Sequence, residues 1–253
     1  MIKGIDSFKE WFEGYEEQYT IIGGTACFLL MNDAGLDFRA TKDIDLVLIV
    51  EKVDKDFGEK FWSYIRQANY KHCNKSTGIP QFYRFSNPDL NEYPAMIELF
   101  TRKDINIKLP ENAVLTPLPI DDDISSLSAI LLDDNYYEFL KQGSRVVNDI
   151  SILGAEYLIP FKAKAWLDLT KRKKLGEHID SKNIRKHKND VFRLTELIDF
   201  TSNVDTPFTI YNDIQDFLEY MKQEDINIDQ LGLSGKTKEE IIEGLRKFYT
   251  VVK

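Results

Sequence analysis

The sequence of 253 residues predicts an α+β fold, in which a small mixed β-sheet with flanking helices is followed by a helical C-terminal region. Three observations predict it. Short apolar runs bounded by turn residues, typical of strands, occupy the first part of the chain. Amphipathic segments with the helical period lie between these runs. Beyond about residue 154 only the helical period remains, so strands and helices are expected to segregate along the chain.

Helix and strand patterns alternate in the first part of the chain. SFKEWFEGYEE places Phe8, Trp11, Phe12 and Tyr15 on one face of an amphipathic helix. The elements that follow are, in order, strand YTII, a Gly-Gly turn, helix TACFLLMNDAG, strand DIDLVLIV, helix DKDFGEKFWSYIRQAN, and strands QFYRFS and AMIELFT around the turn NPDLNEYP. This order predicts a small mixed sheet.

The second part of the chain has helical periods. GAEYLIPFKAKAWLDLTKRKK predicts a long helix, in which Pro160 lies near the first turn or bends the axis. Three more helical segments follow: NDVFRLTELIDF, PFTIYNDIQDFLEYMKQ and KTKEEIIEGLRKFYTVV. Residues 105–150 are ambiguous, because LTPLPIDD is typical of extended chain whereas ISSLSAILLDDNYYEFLKQG fits either a helix or a pair of strands.

Composition excludes several classes of protein. The net charge of −9 argues against a surface coated for nucleic-acid binding. The sequence has no run of roughly 18 apolar residues, and its N-terminus lacks the apolar core of a signal peptide, so we expect a cytoplasmic protein. Cys27 and Cys73 are too few for a disulfide framework or a zinc cluster, and reduced thiols are expected.

The charge is unevenly distributed. Residues 171–188, KRKKLGEHIDSKNIRKHK, contain eight Lys or Arg and two acids. A basic face on an acidic protein is suited to a polyanionic ligand or substrate, and a solvated helix with its loop has the same composition. Both interpretations remain open for this segment.

Gly23-Gly24-Thr25 lies between a predicted strand and a predicted helix. The free N–H groups at the start of a helix are suited to phosphate oxygens, although a glycine pair also serves the shape of such a turn. The segment matches neither a Walker A loop nor a GxGxxG fingerprint. The sequence therefore argues against a P-loop NTPase or a Rossmann enzyme.

Three acidic residues are associated with strand patterns. Asp43 and Asp45 are two residues apart at the start of an apolar strand, so both side chains are expected on one face. Two close carboxylates repel each other unless a cation or a proton separates them. Glu98 lies inside a later strand, and beside the aspartates it would complete a carboxylate cluster for metal ions. The alternatives are a capped polar strand edge and an outward-facing glutamate.

The order of these motifs resembles a known superfamily. GGT, a helix, TKDIDL and a later strand acid are similar to the nucleotidyltransferases built on the polymerase beta-like core, whose pattern is hG[GS], a helix, DxD or DxE, and a third carboxylate. LIPFKAKAWLDL followed by KHKNDVFRL further resembles the AbiEii/AbiGii-type nucleotidyltransferases of abortive-infection toxins. The resemblance extends over residues 19–200.

The resemblance implies a metal and nucleotide site in the first part of the chain. The Gly23-Gly24-Thr25 turn would contact the triphosphate of a nucleoside triphosphate. Asp43, Asp45 and Glu98 would hold Mg2+, with two ions expected. Glu98 would also take the proton from the attacking hydroxyl as general base.

The resemblance also assigns residues in the second part of the chain. Lys162 occupies the position of the family's helical lysine and would neutralise phosphate charge, with Lys164 as a substitute. Lys186 and Asp190 match the lysine and the final aspartate of a later motif that binds the nucleotide. His187 stands where the family has its first acid, which leaves the role of that acid unassigned.

Domain organisation and activity follow from the same resemblance. We expect a nucleotidyltransferase α/β domain over residues 1–153 and a helical domain over residues 154–253 that contributes to the nucleotide cleft. The implied reaction moves a nucleoside monophosphate to an acceptor hydroxyl, in a toxin or antiphage role. The implied partners are an RNA acceptor such as tRNA, docked on residues 171–188, and an antitoxin protein. A small-molecule or protein acceptor remains open, and so does a non-catalytic module that holds a nucleotide without turnover.

Overall fold

The computed structural model describes residues 2–75, 81–102, 116–117, 127 and 130–252. The chain divides into two compact units. The first comprises Met1–Ile120 and Ser144–Gly154, and the second comprises Asp121–Gly143 and Ala155–Lys253. The fold is α+β, as the sequence predicts. The mixed sheet lies in the first unit, and the helices beyond residue 154 lie in the second unit.

The first unit is built on a mixed sheet. Its described elements are α1 (Ile5–Trp11), β1 (Tyr19–Ile22), α2 (Gly23–Asp33), β2 (Asp43–Leu48), α3 (Lys55–Ala68), β3 (His72–Lys75), β4 (Gln81–Ser86), β5 (Met96–Thr101), β6 (Thr116–Pro117), β7 (Ser144–Val147) and β8 (Ile150–Leu153). The strands follow the spatial order β6-β3-β4-β5-β2-β1-β8-β7. Strand β2 is antiparallel to β1 and parallel to β5, and β4 is antiparallel to β5. Strands β1, β2 and β5 therefore lie in the middle of the sheet, where register is strongly specified.

An aromatic cluster covers one face of this sheet. Phe61 and Trp62 of α3 pack edge-to-face against Phe85 of β4, with ring centroids 5.7 and 5.5 Å apart. Phe12, which caps the C-terminus of α1, packs against Phe61, and Phe8 of α1 packs against Phe12. Successive side chains of a strand point to opposite faces of the sheet, so Phe85 points away from the face that its two neighbours along β4 occupy. The opposite face of the sheet at β4 is therefore the one that carries residues 84 and 86.

The second unit is mainly helical. Its described elements are α4 (Asp134–Gly143), α5 (Ala155–Lys174), α6 (Ser181–Leu194), β9 (Val204–Thr206), α7 (Phe208–Gln223), α8 (Lys238–Phe248) and β10 (Tyr249–Val251), with 3-10 turns at Thr195–Leu197 and Asp229–Leu231. Side-chain caps define two helix starts: Asp180 accepts from the N–H of Lys182, and Thr237 forms a capping box with Glu240. Strands β9 and β10 form a separate parallel pair.

Helix α5 continues through Pro160. Proline lacks the N–H that would bond to the carbonyl of Glu156 one turn earlier. The hydroxyl of Tyr249 donates to that carbonyl over 2.6 Å instead. The orphaned acceptor is thereby satisfied, which explains how a buried proline is tolerated inside the longest described helix.

The ambiguous segment of the sequence is now partly assigned. Asp134–Gly143 forms a helix, and the antiparallel strands β7 and β8 follow it. Asn148 and Asp149, between these two strands, both have positive φ, which a tight hairpin turn requires. Most of LTPLPIDD lies outside the described residues. None of the helices in the described part of the chain combines the length and apolar character needed to cross a bilayer.

Candidate functional site

Three charged side chains form a row across the sheet of the first unit. Asp45 of β2 is in register with Glu98 of β5, and Glu98 is in register with Arg84 of β4. Residues paired directly across neighbouring strands point to the same face. The structure thus brings together two of the predicted acids, and it places them on the face opposite to the aromatic cluster.

Asp43 shares this face with Asp45 but has a different neighbour. Its partner in register on β5 is Met96, so it lies one step along the strand from the Asp45–Glu98 pair. Asp43 and Asp45 are both partly exposed, whereas Ile44 between them is fully buried. The strand therefore anchors itself through Ile44 and keeps both aspartates accessible to water, since burial of an unpaired carboxylate is costly.

Glu98 is a buried acid whose pKa is strongly raised. It is 8% exposed, and Arg84 contacts its Oε1 through Nε at 2.8 Å and Nη2 at 2.7 Å. Burial, followed by the charge of Asp45, raises the pKa of Glu98 from its ordinary 4.5 to about 9, although Arg84 acts in the opposite direction. A hydrogen bond between the two carboxyl groups also raises this pKa. In the absence of a cation, a proton therefore keeps the two acids together.

This arrangement predicts an unusual dependence of stability on pH. Glu98 holds its proton in the folded protein up to about pH 9 and releases it near pH 4.5 when unfolded. The folded state then binds more protons between these values, so the free energy of unfolding should fall as pH rises, by up to about 1.4 kcal/mol per pH unit. Urea unfolding with EDTA at pH 5 to 9 measures this slope. Glu98→Gln, which mimics the protonated acid, should flatten it; an equal slope in both proteins would contradict the assignment.

The Gly23-Gly24-Thr25 turn lies against the same aspartates. Helix α2 begins at Gly23 itself, whose φ is +70°, directly after Ile22 pairs with Asp45. A Cβ added at Gly23 would overlap Oδ2 of Asp45. Thr25 is fully buried, and its hydroxyl donates to the backbone carbonyl of Asp43 over 2.5 Å. The turn therefore fixes the start of β2, and contact of these residues with a nucleotide stays a prediction.

Alanine at Gly23 should displace the Asp45 carboxylate. Gly35, at the end of α2, is the matched control because its φ is +73° and a Cβ there meets no atom within 4 Å. Both changes cost about 1–2 kcal/mol for the left-handed backbone, and only Gly23→Ala adds the clash. We expect a larger loss of thermal stability and a loss of metal-dependent nucleotide binding for Gly23→Ala alone. Equal effects at both positions would show that the glycine serves the turn only.

In the second unit, two predicted residues form a buried ion pair. Nζ of Lys162 on α5 lies 3.0 Å from Oδ2 of Asp190 on α6, and their side chains are 5% and 2% exposed. The sequence places Lys162 among apolar residues, and a carboxylate of the protein itself compensates its buried charge. Lys164, named above as a substitute, pairs with Asp213 at 2.7 Å.

The remaining residues of the second motif lie on the same helix. Lys186 is half-buried, one turn before Asp190, and His187 is buried on α6. Lys188 is also buried and donates to Glu224 over 2.6 Å and to the carbonyl of Asp225 over 3.1 Å. The structure therefore brings Lys162 and Asp190 together and leaves the nucleotide roles of Lys186 and Asp190 as predictions.

The carboxylates of the first unit can be matched to the ligands that Mg2+ prefers. Among the described residues, no three His, Cys, Asp or Glu side chains lie close enough together to hold a metal ion by themselves. Asp45 and Glu98 nevertheless offer two adjacent carboxyl groups, whose mutual repulsion is relieved by a proton. Mg2+ is typically bound by one or two carboxylates together with substrate phosphates and water. The residues present therefore fit Mg2+ in company with a triphosphate.

Arg84 is the residue of this site that the sequence interpretation missed. It stands in the middle of QFYRFS, where the residues on either side, Tyr83 and Phe85, are buried. A charged residue inside an apolar strand pattern is a signal that an opposite charge lies nearby. The pairing with Glu98 depends on the register of β4 and β5, which one sequence does not supply.

Comparison with known proteins finds only weak similarities to solved structures. No protein-family model and no curated protein matches the chain. Among solved structures, an antigenic nucleotidyltransferase-like protein from Paracoccidioides brasiliensis is 14% identical with a TM-score of 0.43, covering 95% of this chain and 99% of that one. The Megavirus polyadenylate synthase is 13% identical with a TM-score of 0.30, covering 95% of this chain, which spans 48% of that protein.

Proposed function

We propose that the protein is a Mg2+-dependent nucleotidyltransferase that moves a nucleoside monophosphate from a nucleoside triphosphate to an acceptor hydroxyl. The observation that carries the proposal is the Asp45–Glu98 pair, in register on two central strands and beside the Gly23 turn. Two carboxylates that close need a cation or a proton between them. A metal-bound triphosphate supplies that cation and meets the glycine turn at the same end of β2.

Each group of the site has a role in this reaction. The Gly23-Gly24-Thr25 turn binds the triphosphate, and Asp43, Asp45 and Glu98 hold the metal, with two ions proposed from the resemblance. Mg2+, when bound, neutralises the charge on the phosphate oxygens. Glu98 gives up its own proton when the cation binds, and can then accept the proton of the acceptor oxygen as that oxygen attacks the α-phosphorus and the bond to pyrophosphate breaks. Positioning and charge neutralisation account for most of such catalysis, so few other side chains are needed.

The second unit enters the proposal through Lys162, Lys186 and Asp190. The resemblance gives all three to the nucleotide. Support comes from the pairing of Lys162 with Asp190, because two residues assigned to one site are in contact. The same ion pair also fits a structural role that joins α5 to α6, and the variants described in the Discussion distinguish the two roles.

The proposed acceptor is an RNA such as tRNA, in an AbiEii-like toxin or antiphage role with an antitoxin protein as partner. Support for RNA comes from the basic segment 171–188. Arg172 pairs with Glu177 and Lys188 is buried, but five of its cations are exposed: Lys171, Lys173, Lys174, Lys182 and Arg185. Exposed cations of this kind contribute to salt-dependent binding of phosphate backbones.

A transfer assay tests the proposal. The purified protein is incubated with each α-labelled nucleoside triphosphate, Mg2+ and total cellular RNA. Label in RNA that depends on Mg2+ would establish the activity and identify the nucleotide. Label found in protein or in a small molecule would show that the acceptor belongs to that class and not to RNA. No transfer to any acceptor class would contradict the proposed enzyme.

One observation favours a second candidate, a non-catalytic module that holds a nucleotide. Within the described ranges the three predicted acids do not form a complete metal cage, since Asp43 is paired with Met96 across the sheet. A module of this kind need not require metal. Triphosphate binding measured by calorimetry with Mg2+ and with EDTA distinguishes the candidates, because the enzyme requires metal-dependent binding and the module predicts equal affinities.

A further inference from the structure

Arg84 is held inside the sheet by Glu98. Its Nε donates to Oε1 of Glu98 over 2.8 Å, and its Nη2 lies 2.7 Å from the same oxygen. The two side chains are only 18% and 11% exposed. Removing a guanidinium from water is costly unless its N–H groups find acceptors, and Oε1 of Glu98 supplies one here. Arg84 is therefore a built part of the carboxylate site and differs from a solvated surface arginine.

The geometry of the row separates Arg84 from the position of a cation. Arg84, Glu98 and Asp45 lie on three adjacent strands, with Glu98 in the middle. Neighbouring strands are about 4.8 Å apart, so Arg84 and Asp45 approach Glu98 from opposite sides and their backbones are about 10 Å apart. A cation shared by Asp45 and Glu98 lies on the side away from the guanidinium. The Glu98 carboxylate lies between the guanidinium and that cation, so its charge offsets part of their repulsion.

We propose that Arg84 is a positioning residue for the metal-binding carboxylates, because its two N–H groups fix Glu98 beside Asp45 in the orientation in which both acids share one cation. A glutamate side chain has three torsions, and holding it in one rotamer costs entropy that the arginine contact offsets. Without Arg84 the carboxylate of Glu98 turns away from Asp45 for part of the time. This inference rests on the proposed function, since it requires that the pair binds a cation.

Titration of the full chain with Mn2+ tests the inference. Calorimetry in the presence of a non-hydrolysable nucleoside triphosphate gives the dissociation constant for Mn2+ in the wild type, Arg84→Gln and Arg84→Lys. Arg84→Gln should weaken Mn2+ binding by about 10-fold, the low end for residues that orient metal ligands. Arg84→Lys keeps the charge but lacks the planar guanidinium, so it should weaken Mn2+ binding by less than Arg84→Gln does. The control is Arg66→Gln on α3, an exposed arginine that contacts Ser63 and should bind Mn2+ as the wild type does.

The outcomes separate this inference from the proposed function. If the wild type does not bind Mn2+ with the triphosphate, the proposed function itself fails. If the wild type binds and Arg84→Gln binds equally or more tightly, Arg84 does not position the carboxylates. If Arg84 had a purely structural role, Arg84→Gln would lower the unfolding temperature without changing the Mn2+ affinity of the folded protein. Should Arg84→Gln fail to fold, Arg84→Lys decides, because unchanged Mn2+ affinity in that variant contradicts the inference.

Discussion

Replacing Asp43 and Asp45 together by asparagine is expected to reduce nucleotide transfer at least about 1,000-fold while the protein stays folded. Each such charge interaction with a transition state is worth roughly 100- to 1,000-fold in rate, and the change removes two of them. The fold should persist because Ile44 anchors β2 and the amide keeps the shape of the acid. Transfer of label from a nucleoside triphosphate and thermal unfolding of the same preparation measure both effects.

The control for this prediction uses two aspartates away from the site. Asp6 of α1 and Asp56 of α3 are exposed residues in the first turns of their helices. Their double asparagine variant has the same change in net charge and should transfer nucleotide at the wild-type rate. A site variant that keeps its activity would contradict the assignment of Asp43 and Asp45. A site variant that loses its activity together with most of its thermal stability would favour a structural role for the pair.

Breaking the buried Lys162–Asp190 pair is expected to have the largest effect on stability. Asp190→Asn removes the charge of Asp190 from beside the buried ammonium of Lys162, and breaking a buried ion pair in this way typically costs about 3–5 kcal/mol. Lys162→Met has a similar effect through Asp190. The double variant Lys162→Met with Asp190→Leu should be much closer to the wild type, because apolar residues of similar size replace a buried pair at little cost. Urea unfolding of the four proteins measures these differences.

The same variants also decide between the two roles of the pair. If the double variant is stable and still transfers nucleotide, Lys162 and Asp190 join α5 to α6 and do not act on the substrate. If it is stable and inactive, the nucleotide role is supported. The exposed pair Lys55–Glu59 on α3 is the control, and Lys55→Met should leave the unfolding curve unchanged. Equal losses of stability in the single and double variants would contradict the view that Asp190 compensates the buried charge of Lys162.

Much of the fold could be predicted from the sequence where local patterns are strong. DIDLVLIV, QFYRFS and AMIELFT form strands, and the amphipathic segments form helices, because burial of one face is encoded by periodicity. The hairpin of β7 and β8 was not predicted. Its strands are four residues each, and its turn uses Asn148 and Asp149 in left-handed conformations that give only a weak signal.

The site was less predictable than the fold because it depends on register. Alternation placed Asp43 and Asp45 on one face, but it could not show that Glu98 stands opposite Asp45 and that Met96 stands opposite Asp43. A shift of one residue between β2 and β5 would separate these acids. The partner of Lys162 likewise depends on tertiary contacts. The sequence shows only that Lys162 lies in an apolar helical segment.

The measurement that tests the central claim most directly is the location of Mn2+ in crystals grown with a non-hydrolysable nucleoside triphosphate. Anomalous diffraction identifies the metal without reference to activity. We predict a peak between the carboxylates of Asp45 and Glu98, with phosphate oxygens completing the coordination beside the turn at Gly23. A triphosphate bound elsewhere, or bound here with the metal away from both carboxylates, would contradict the account.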